Sequence, residues 1–261
     1  MKLGISTASF YTKVVTEDTF SYIKDMNVDL VEVFLSSFCE YEGEILDKIV
    51  KNKNIEVHSV HALTNQFEPD LFNKNIRAQE DCFSILEKVL TAGERLGAKY
   101  YTFHGATILK KIKYNFDYDF LSKVVSRIMD RAKSHNIELS YETVHWAYFN
   151  NIDYFNNLKK ILPNLKATLD IKQIMQAKSD YREFLPHLKD SLTTVHLCDY
   201  DDNGNLYLPG NGTFDFIELF KRLKDINFSG ALIMEVYPQS YKDFSELNNS
   251  LNYLRECLDK I

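Results

Sequence analysis

The chain has 261 residues, of which 45% are hydrophobic and 26% are charged, and its formal net charge is −6. This apolar fraction excludes an intrinsically disordered chain, and the low content of 9 Gly and 5 Pro excludes collagen-like and linker-rich architectures. The acidic balance argues against general affinity for nucleic acid, which requires a basic face. No apolar run approaches the roughly 20 residues of a membrane-spanning helix.

Cysteine usage indicates the compartment. The four cysteines show neither metal-knuckle spacing nor disulfide density, and they are Cys39, Cys82, Cys198 and Cys257. They predict buried thiols in a reducing environment. The first residues lack the long apolar core of a secretion signal. We therefore expect a soluble cytoplasmic protein with no membrane or nucleic-acid partner.

Eight β-rich runs alternate with longer helical patterns along the chain. The runs cover residues 3–9, 30–35, 55–62, 98–105, 137–143, 167–171, 192–199 and 230–236. Several are nearly continuous in apolar and β-branched residues, which is typical of parallel strands covered on both faces.

The helical patterns are clearest before the fourth run and at the end of the chain. Apolar residues recur at steps of three and four in the first of these, at Ala78, Cys82, Ile85, Val89, Ala92 and Leu96. Gly97 follows, in the position of the left-handed residue that ends many helices. The last segment repeats the spacing from Phe244 to Leu258.

Eight strand–helix units of about 33 residues each match a (β/α)₈ barrel of about 250 residues. An open Rossmann-type sheet is the competitor, but it usually carries a Gly-rich turn after its first strand, and residues 6–10 contain no Gly. No linker-like segment or shift in composition divides the chain. The sequence therefore predicts an α/β fold, a single TIM barrel domain over residues 1–261.

Four successive predicted strands each carry one metal-capable residue near the carboxyl end, where barrel enzymes place their active residues. These are Glu142, Asp170, His196 and Glu235. Burying three carboxylates together is costly unless a cation compensates their charge. Their placement on consecutive strands favours a metal site over isolated salt-bridge partners. Three carboxylates and one imidazole suit one divalent ion, with Mn²⁺ as the first choice and Mg²⁺, Co²⁺ or Zn²⁺ as alternatives.

Other polar and aromatic residues near the same mouth are candidates for substrate binding. His61 and His104 lie near the ends of the third and fourth strands, and Glu32 lies in the second. Glu32 can bond either a substrate hydroxyl or a histidine. Trp146, in the loop after the fifth strand, offers an aromatic face to a sugar. The structural alternatives are a histidine bonded to a core carbonyl and a tryptophan that only packs.

Three further features give only weak indications of a functional role. His58, three residues before His61, is expected to point outward toward the helices. The Gly-rich loop at 209–213, with Thr213 as the expected helix cap, suits either a phosphate or a tight turn. The lysine-rich stretch at 110–113 is expected to be solvated surface.

Short fragments along the whole chain together carry a family resemblance. In chain order they are Leu3-Gly4-Ile5-Ser6-Thr7, Leu30-Val31-Glu32-Val33, Phe103-His104-Gly105, Tyr141-Glu142, Leu169-Asp170-Ile171-Lys172-Gln173, Val195-His196-Leu197-Cys198-Asp199, the loop ending at Asp215, and Met234-Glu235. The chain resembles the xylose-isomerase-like TIM barrel superfamily. That group includes sugar phosphate isomerases and epimerases, tagatose- and psicose-type 3-epimerases, hydroxypyruvate isomerase, inosose dehydratase and the endonuclease IV type of apurinic endonuclease.

The resemblance implies that Glu142, Asp170, His196 and Glu235 are the metal ligands. It also implies that Glu142 and Glu235 are the acid/base pair. The expected activity is isomerisation or epimerisation of a small sugar, sugar phosphate or related polyol ketone. A proton is removed next to a metal-chelated carbonyl, which gives an enediolate.

Two positions depart from the family. Gln173 stands where members often have His; it cannot titrate, but it can hydrogen-bond a substrate hydroxyl. The endonuclease branch has Asp-x-His before its Pro-Gly loop, where this chain has Asn205-Leu206-Tyr207. Both departures remove ligands of a three-zinc site and argue against abasic-site cleavage.

Two alternatives to an isomerase stay open. One is a lyase of the inosose-dehydratase type, which uses the same proton abstraction. The other is a sugar-binding barrel without turnover, suggested by Gln173. A homo-oligomer is an open option, and the sequence does not decide whether the substrate carries a phosphate.

Overall fold

The computed structural model describes residues 1–63, 67–108 and 115–261, and in it eight parallel strands close into a barrel. The barrel strands are β1 Lys2–Ser6, β2 Leu30–Leu35, β3 Glu56–Ala62, β4 Tyr100–Phe103, β5 Glu138–Glu142, β6 Lys166–Asp170, β7 Leu192–Leu197 and β10 Ala231–Met234. After β7, the short strands β8 (Asp199–Tyr200) and β9 (Leu206–Tyr207) pair antiparallel. β10 closes the barrel against β1, so the predicted fold class is confirmed.

Helices connect the strands on the outside of this barrel. They are α1 Thr16–Ile23, α2 Gly43–Asn52, α3 Ile76–Leu96, α4 Tyr118–Ser134, α5 Ile152–Ile161, α6 Ile171–Gln176, α7 Tyr181–Leu188, α8 Phe216–Asp225 and α9 Phe244–Asp259. α3 ends at Gly97, whose φ of +74° is the predicted left-handed conformation. In the part of the chain that the structure describes, no helix combines the length and apolarity needed to cross a membrane.

Several strands end earlier than their apolar runs. The first stops at Ser6, because residues Thr7–Phe10 form a 3₁₀ turn in which the Ser6 side chain accepts a hydrogen bond from the Ala8 N–H. The fourth stops at Phe103, shortly before Gly105 with its φ of +77°. A Cβ at Gly105 would lie 2.2 Å from the Tyr141 hydroxyl oxygen, so a close approach and a left-handed turn both favour glycine there.

His58 faces the barrel interior, and the prediction that it points toward the helices was wrong. The pairing of β2 with β3 passes from Val31–Val57 to Glu32–Ser59, which leaves His58 as the extra residue of a bulge. A bulge interrupts the strict alternation of faces along a strand. His58 Nε2 lies 2.9 Å from Thr194 Oγ1 on β7, across the barrel. Burial lowers the pKa of His58 from 6.5 to about 4.

Two smaller expectations concern the cysteines and the lysine-rich stretch. Cys82, Cys198 and Cys257 are buried as expected, whereas Cys39 is exposed in the 3₁₀ turn after β2. The lysine-rich stretch at 110–113 lies outside the described residues.

Candidate metal centre and active site

The four candidate metal ligands lie together at the carboxyl end of the barrel. Glu142 ends β5, Asp170 ends β6, His196 is in β7, and Glu235 follows β10. One ligand-type atom from each lies within 4.8 Å of the others. His196 Nδ1 is 2.9 Å from Glu142 Oε1, 2.8 Å from Glu235 Oε2 and 3.7 Å from Asp170 Oδ2. Three carboxylates around one imidazole nitrogen fit the coordination preferences of a hard or borderline divalent ion.

The charges of this cluster depend on one another. Burial by itself would raise the pKa of Glu142, but His104 and His196 hold it well below its usual range. Burial likewise opposes ionisation of Glu235, yet Lys172 and His196 lower its pKa to about 2. Burial would lower the pKa of His196, but Glu32 together with Glu235 and Glu142 raises it well above the usual value. The two glutamates are therefore ionised at neutral pH, as a ligand or a general base must be.

Glu32 lies beneath the pocket and not in its wall. Its carboxylate is fully buried, accepts hydrogen bonds from Ser59 Oγ and Thr102 Oγ1, and lies 3.2 Å from His196 Nε2. Its Oε1 is also 3.5 Å from His61 Nδ1. Glu32 is not among the described residues that line the pocket, so its contact with substrate stays a prediction without structural support. The sequence also suggested a histidine as its partner, and Glu32 lies beside the two histidines His61 and His196.

The two histidines at the ends of β3 and β4 stand beside the metal residues. His61 Nε2 and His104 Nε2 are 3.1 Å apart, and His104 Nε2 is 2.9 Å from Glu142 Oε2. With Glu142 they form a second group whose ligand-type atoms lie within 4.8 Å of one another. Burial lowers the pKa of His61, but Glu32 outweighs it and raises this pKa to about 9.

A cavity of about 330 Å³ opens above these residues. The predicted substrate residues His61, His104, Trp146 and Gln173 line it together with Glu142 and Glu235. Apolar and aromatic side chains form the rest of its wall, namely Ala8, Tyr11, Phe34, Leu63, Val236, Tyr237 and Pro238. Ionisable groups at the floor and aromatic rings at the wall are the composition of a small-molecule site.

Gln173 and Trp146 are held by their neighbours. Gln173 lies in α6, and its Oε1 is 2.5 Å from His145 Nδ1 and accepts the His145 N–H at 3.2 Å. The Trp146 ring centre is 5.5 Å from that of His104. The loop after β5 is thereby fastened to α6 and to β4 across the pocket mouth.

Sequence reasoning missed two buried charged residues at this site. Lys172 lines the pocket and places Nζ 2.5 Å from Asp170 Oδ2 and 3.5 Å from Glu235 Oε2. Glu68 accepts the N–H groups of His104 and Gly105 and a hydrogen bond from the Tyr101 hydroxyl. Lys172 could have been noticed from its position two residues after Asp170, whereas Glu68 begins the 3₁₀ helix Glu68–Phe72 between β3 and α3, outside the predicted strands.

The Gly-rich loop after β9 is occupied by an internal carboxylate. Asp199 Oδ2 accepts the N–H groups of Gly210 and Gly212 at 2.9 and 3.0 Å, and its Oδ1 accepts that of Phe214 at 3.0 Å. These amides are engaged, so the tight-turn alternative holds and the phosphate alternative does not.

The cap of α8 also differs from the expectation. The Asp215 side chain, not Thr213, caps the helix by accepting the Glu218 N–H at 2.9 Å. Thr213 instead donates its hydroxyl to the Tyr200 carbonyl. Asp and Thr are both good N-caps, and the turn geometry decides between them.

Fold and site together define a TIM barrel whose carboxyl-end pocket contains a candidate metal centre. The family model of the xylose isomerase-like TIM barrel matches residues 20–257, and the chain belongs to this family.

Solved structures with this fold include sugar epimerases. A D-tagatose 3-epimerase-like protein superposes with a TM-score of 0.80 at 18% identity, covering 100% of this chain and 99% of its own. The IolI protein with a bound zinc atom gives 0.82 at 17% identity, with 100% and 99% coverage. These likenesses show the fold.

One curated relative matches a short part of the chain. The 3-dehydro-D-guloside 4-epimerase of Escherichia coli (strain K12) is 32% identical over 84 residues, which are 32% of this chain and 28% of that protein. The match therefore covers less than a third of the relative's length.

Proposed function

We propose that the chain is a divalent-metal-dependent isomerase or epimerase of a small sugar, sugar phosphate or related polyol ketone. The observation that carries this proposal is the cluster of four ligand-type side chains at the carboxyl end of the barrel, two of which, Glu142 and Glu235, line a pocket of sugar size. The sugar epimerases among the structural neighbours and the partial match to a 4-epimerase support it.

Glu142, Asp170, His196 and Glu235 are the residues that would hold the ion, with Mn²⁺ as our first choice. When bound, a divalent ion polarises a substrate carbonyl and stabilises the negative charge that develops beside it. Glu32 supports this assignment, because a carboxylate on His196 Nε2 fixes the ring with Nδ1 toward the other ligands.

Glu142 and Glu235 are our candidates for the proton transfers. They enter the pocket from β5 and from the end of β10, which are separated in the barrel by β6 and β7. We infer that one removes a proton from the carbon beside the carbonyl and that the other returns a proton. His61, His104, Gln173 and Trp146 would position the sugar, the first three by hydrogen bonds and the last by its aromatic face.

The test is a screen of ketoses and ketose phosphates with Mn²⁺-loaded protein in D₂O, followed by NMR. We expect deuterium at a carbon next to the carbonyl and formation of an isomer or epimer of equal mass. Protein that retains no divalent metal and exchanges no proton in any ketose would contradict the proposal.

The same experiment separates the two alternatives. A dehydratase of the inosose type removes water, so its product is lighter by one water molecule than its substrate. A sugar-binding barrel without turnover would bind a ketose equally well in the wild type and in the Glu142→Gln variant, and it would exchange no proton.

A further inference from the structure

Lys172 is an unusual neighbour for a metal centre. It is the second residue of α6 and lies two residues after Asp170, and only 3% of it is exposed. Its ammonium contacts Asp170 Oδ2 at 2.5 Å and lies 3.5 Å from Glu235 Oε2. Two of the four candidate metal ligands are therefore already paired with a cation that belongs to the chain.

Both oxygens of the Asp170 carboxylate have donors. Oδ1 accepts the Gln173 N–H at 3.0 Å, which caps α6, and Oδ2 accepts the Lys172 ammonium. Oδ2 is the oxygen that faces the cluster, 3.7 Å from His196 Nδ1. An ion that binds there meets the Lys172 ammonium on the same oxygen.

The balance of charge explains why a cation is needed. The carboxylates of Glu32, Glu142 and Asp170 are buried beside that of Glu235, whose side chain is 14% exposed, and burial of uncompensated carboxylates is expensive. Among the described residues that line the pocket, Lys172 is the only lysine or arginine. It is thus positioned to neutralise part of this charge before a metal arrives.

We propose that Lys172 is the resident cation of the metal-free site and that a divalent ion must displace its ammonium from Asp170. This inference rests on the proposed metal centre. The ammonium has space to move to, because Lys172 lines the cavity of about 330 Å³, and the Tyr237 ring of the pocket wall offers it a face 5.7 Å from Nζ. Because the ammonium and the divalent ion compete for one oxygen, Lys172 lowers the affinity for the metal. By neutralising part of the carboxylate charge, the same ammonium stabilises the metal-free protein.

The experiment is calorimetric titration of Mn²⁺ into metal-free protein, with the melting temperature measured in parallel. Lys172→Met removes the competing charge and is expected to bind Mn²⁺ at least about tenfold more tightly, while its metal-free form melts lower than the wild type. Lys172→Arg keeps the charge, so we expect affinity no higher than that of the wild type.

Lys99→Met is the matched control. It removes the same charge from a mostly exposed lysine just before β4, at the opposite end of the barrel, and should leave the affinity unchanged. Equal or weaker binding of Mn²⁺ by Lys172→Met would overturn the inference while leaving the proposed function intact. Failure of the wild type and of Lys172→Met alike to bind Mn²⁺ would overturn the proposed metal dependence and this inference with it.

Discussion

The carboxylate of Glu32 lies 3.2 Å from Nε2 of His196, while Nδ1 of the same ring faces the other candidate ligands. One nitrogen of the imidazole therefore faces a buried supporting carboxylate, and the other faces the candidate metal ligands. Such a pair fixes both the tautomer and the orientation of a ligating histidine. Ser59 and Thr102 in turn hold the Glu32 carboxylate by donating hydrogen bonds at 2.7 Å each.

The support of His196 by Glu32 is testable through metal affinity. In Glu32→Gln the amide no longer attracts the Nε2 proton as a carboxylate does, so we expect Mn²⁺ affinity to fall by about 10- to 100-fold. Calorimetric titration measures this. Glu56→Gln, which neutralises a partly exposed carboxylate at the amino end of β3, is the control. Unchanged affinity in Glu32→Gln would show that His196 is oriented without it.

Replacing the acid/base candidates tests their chemical role. Glu142→Gln and Glu235→Gln each keep the side-chain shape but cannot accept a proton, so deuterium exchange into the best ketose should fall by about 10²- to 10⁴-fold. The measurement is the NMR exchange rate at saturating Mn²⁺, so that weaker metal binding is not mistaken for lost catalysis. If either variant exchanges protons at the wild-type rate, that glutamate is not part of the acid/base pair.

Metal removal and return should change thermal stability. With Mn²⁺ at a hundredfold excess over its Kd, binding to the folded state contributes about 2.7 kcal/mol, which corresponds to a rise in Tm of roughly 5–10 °C. Chelation with EDTA should reverse the rise. His196→Asn lacks the imidazole at the centre of the cluster and should lose most of this increment. A rise as large in His196→Asn as in the wild type would place the ion elsewhere.

His58 predicts a loss of stability in acid. Its pKa is about 4 in the folded protein, against 6.5 for an ordinary histidine, because burial opposes its charged form. Between these values the unfolded chain binds a proton that the folded chain does not. The stability contributed by neutral His58 is therefore complete above about pH 6.5 and is lost as the pH falls toward 4, by about 2–3 kcal/mol.

Chemical denaturation at several pH values measures this effect. His58→Gln should show a smaller decrease in the free energy of unfolding between pH 7 and pH 4 than the wild type does. His187→Gln is the matched control, since His187 is exposed on α7, where its Nδ1 lies 3.1 Å from the Asn156 side-chain amide. Equal slopes for the wild type and His58→Gln would contradict the assignment.

The barrel was predictable because its strands are buried on both faces. That burial imposes continuous apolar runs, and their spacing repeats eight times along the chain. The four candidate ligands could be picked out because each interrupts such a run with a charge or an imidazole. The roles of these residues, and the organisation of residues 1–261 as one domain, stay predictions.

What could not be predicted depends on contacts between distant segments. The inward turn of His58 requires a bulge in the β2–β3 pairing, which no local pattern encodes. Lys172 lies in the first turn of a short helix, where a lysine is ordinarily solvated, and only the closed barrel brings Glu235 to it. The placement of Glu32 below the pocket depends on the depth of its strand, which the sequence does not fix.

The Asp199 carboxylate in the loop after β9 has a consequence for how the mouth of the barrel is ordered. Three amides of that loop converge on an anion, as they would on a phosphate, but this anion is attached to the chain. It cannot dissociate or be diluted, so the loop is assembled at any concentration of ligand. The conformational entropy of ordering this segment is lost during folding, and none of it is left to weaken the binding of a substrate.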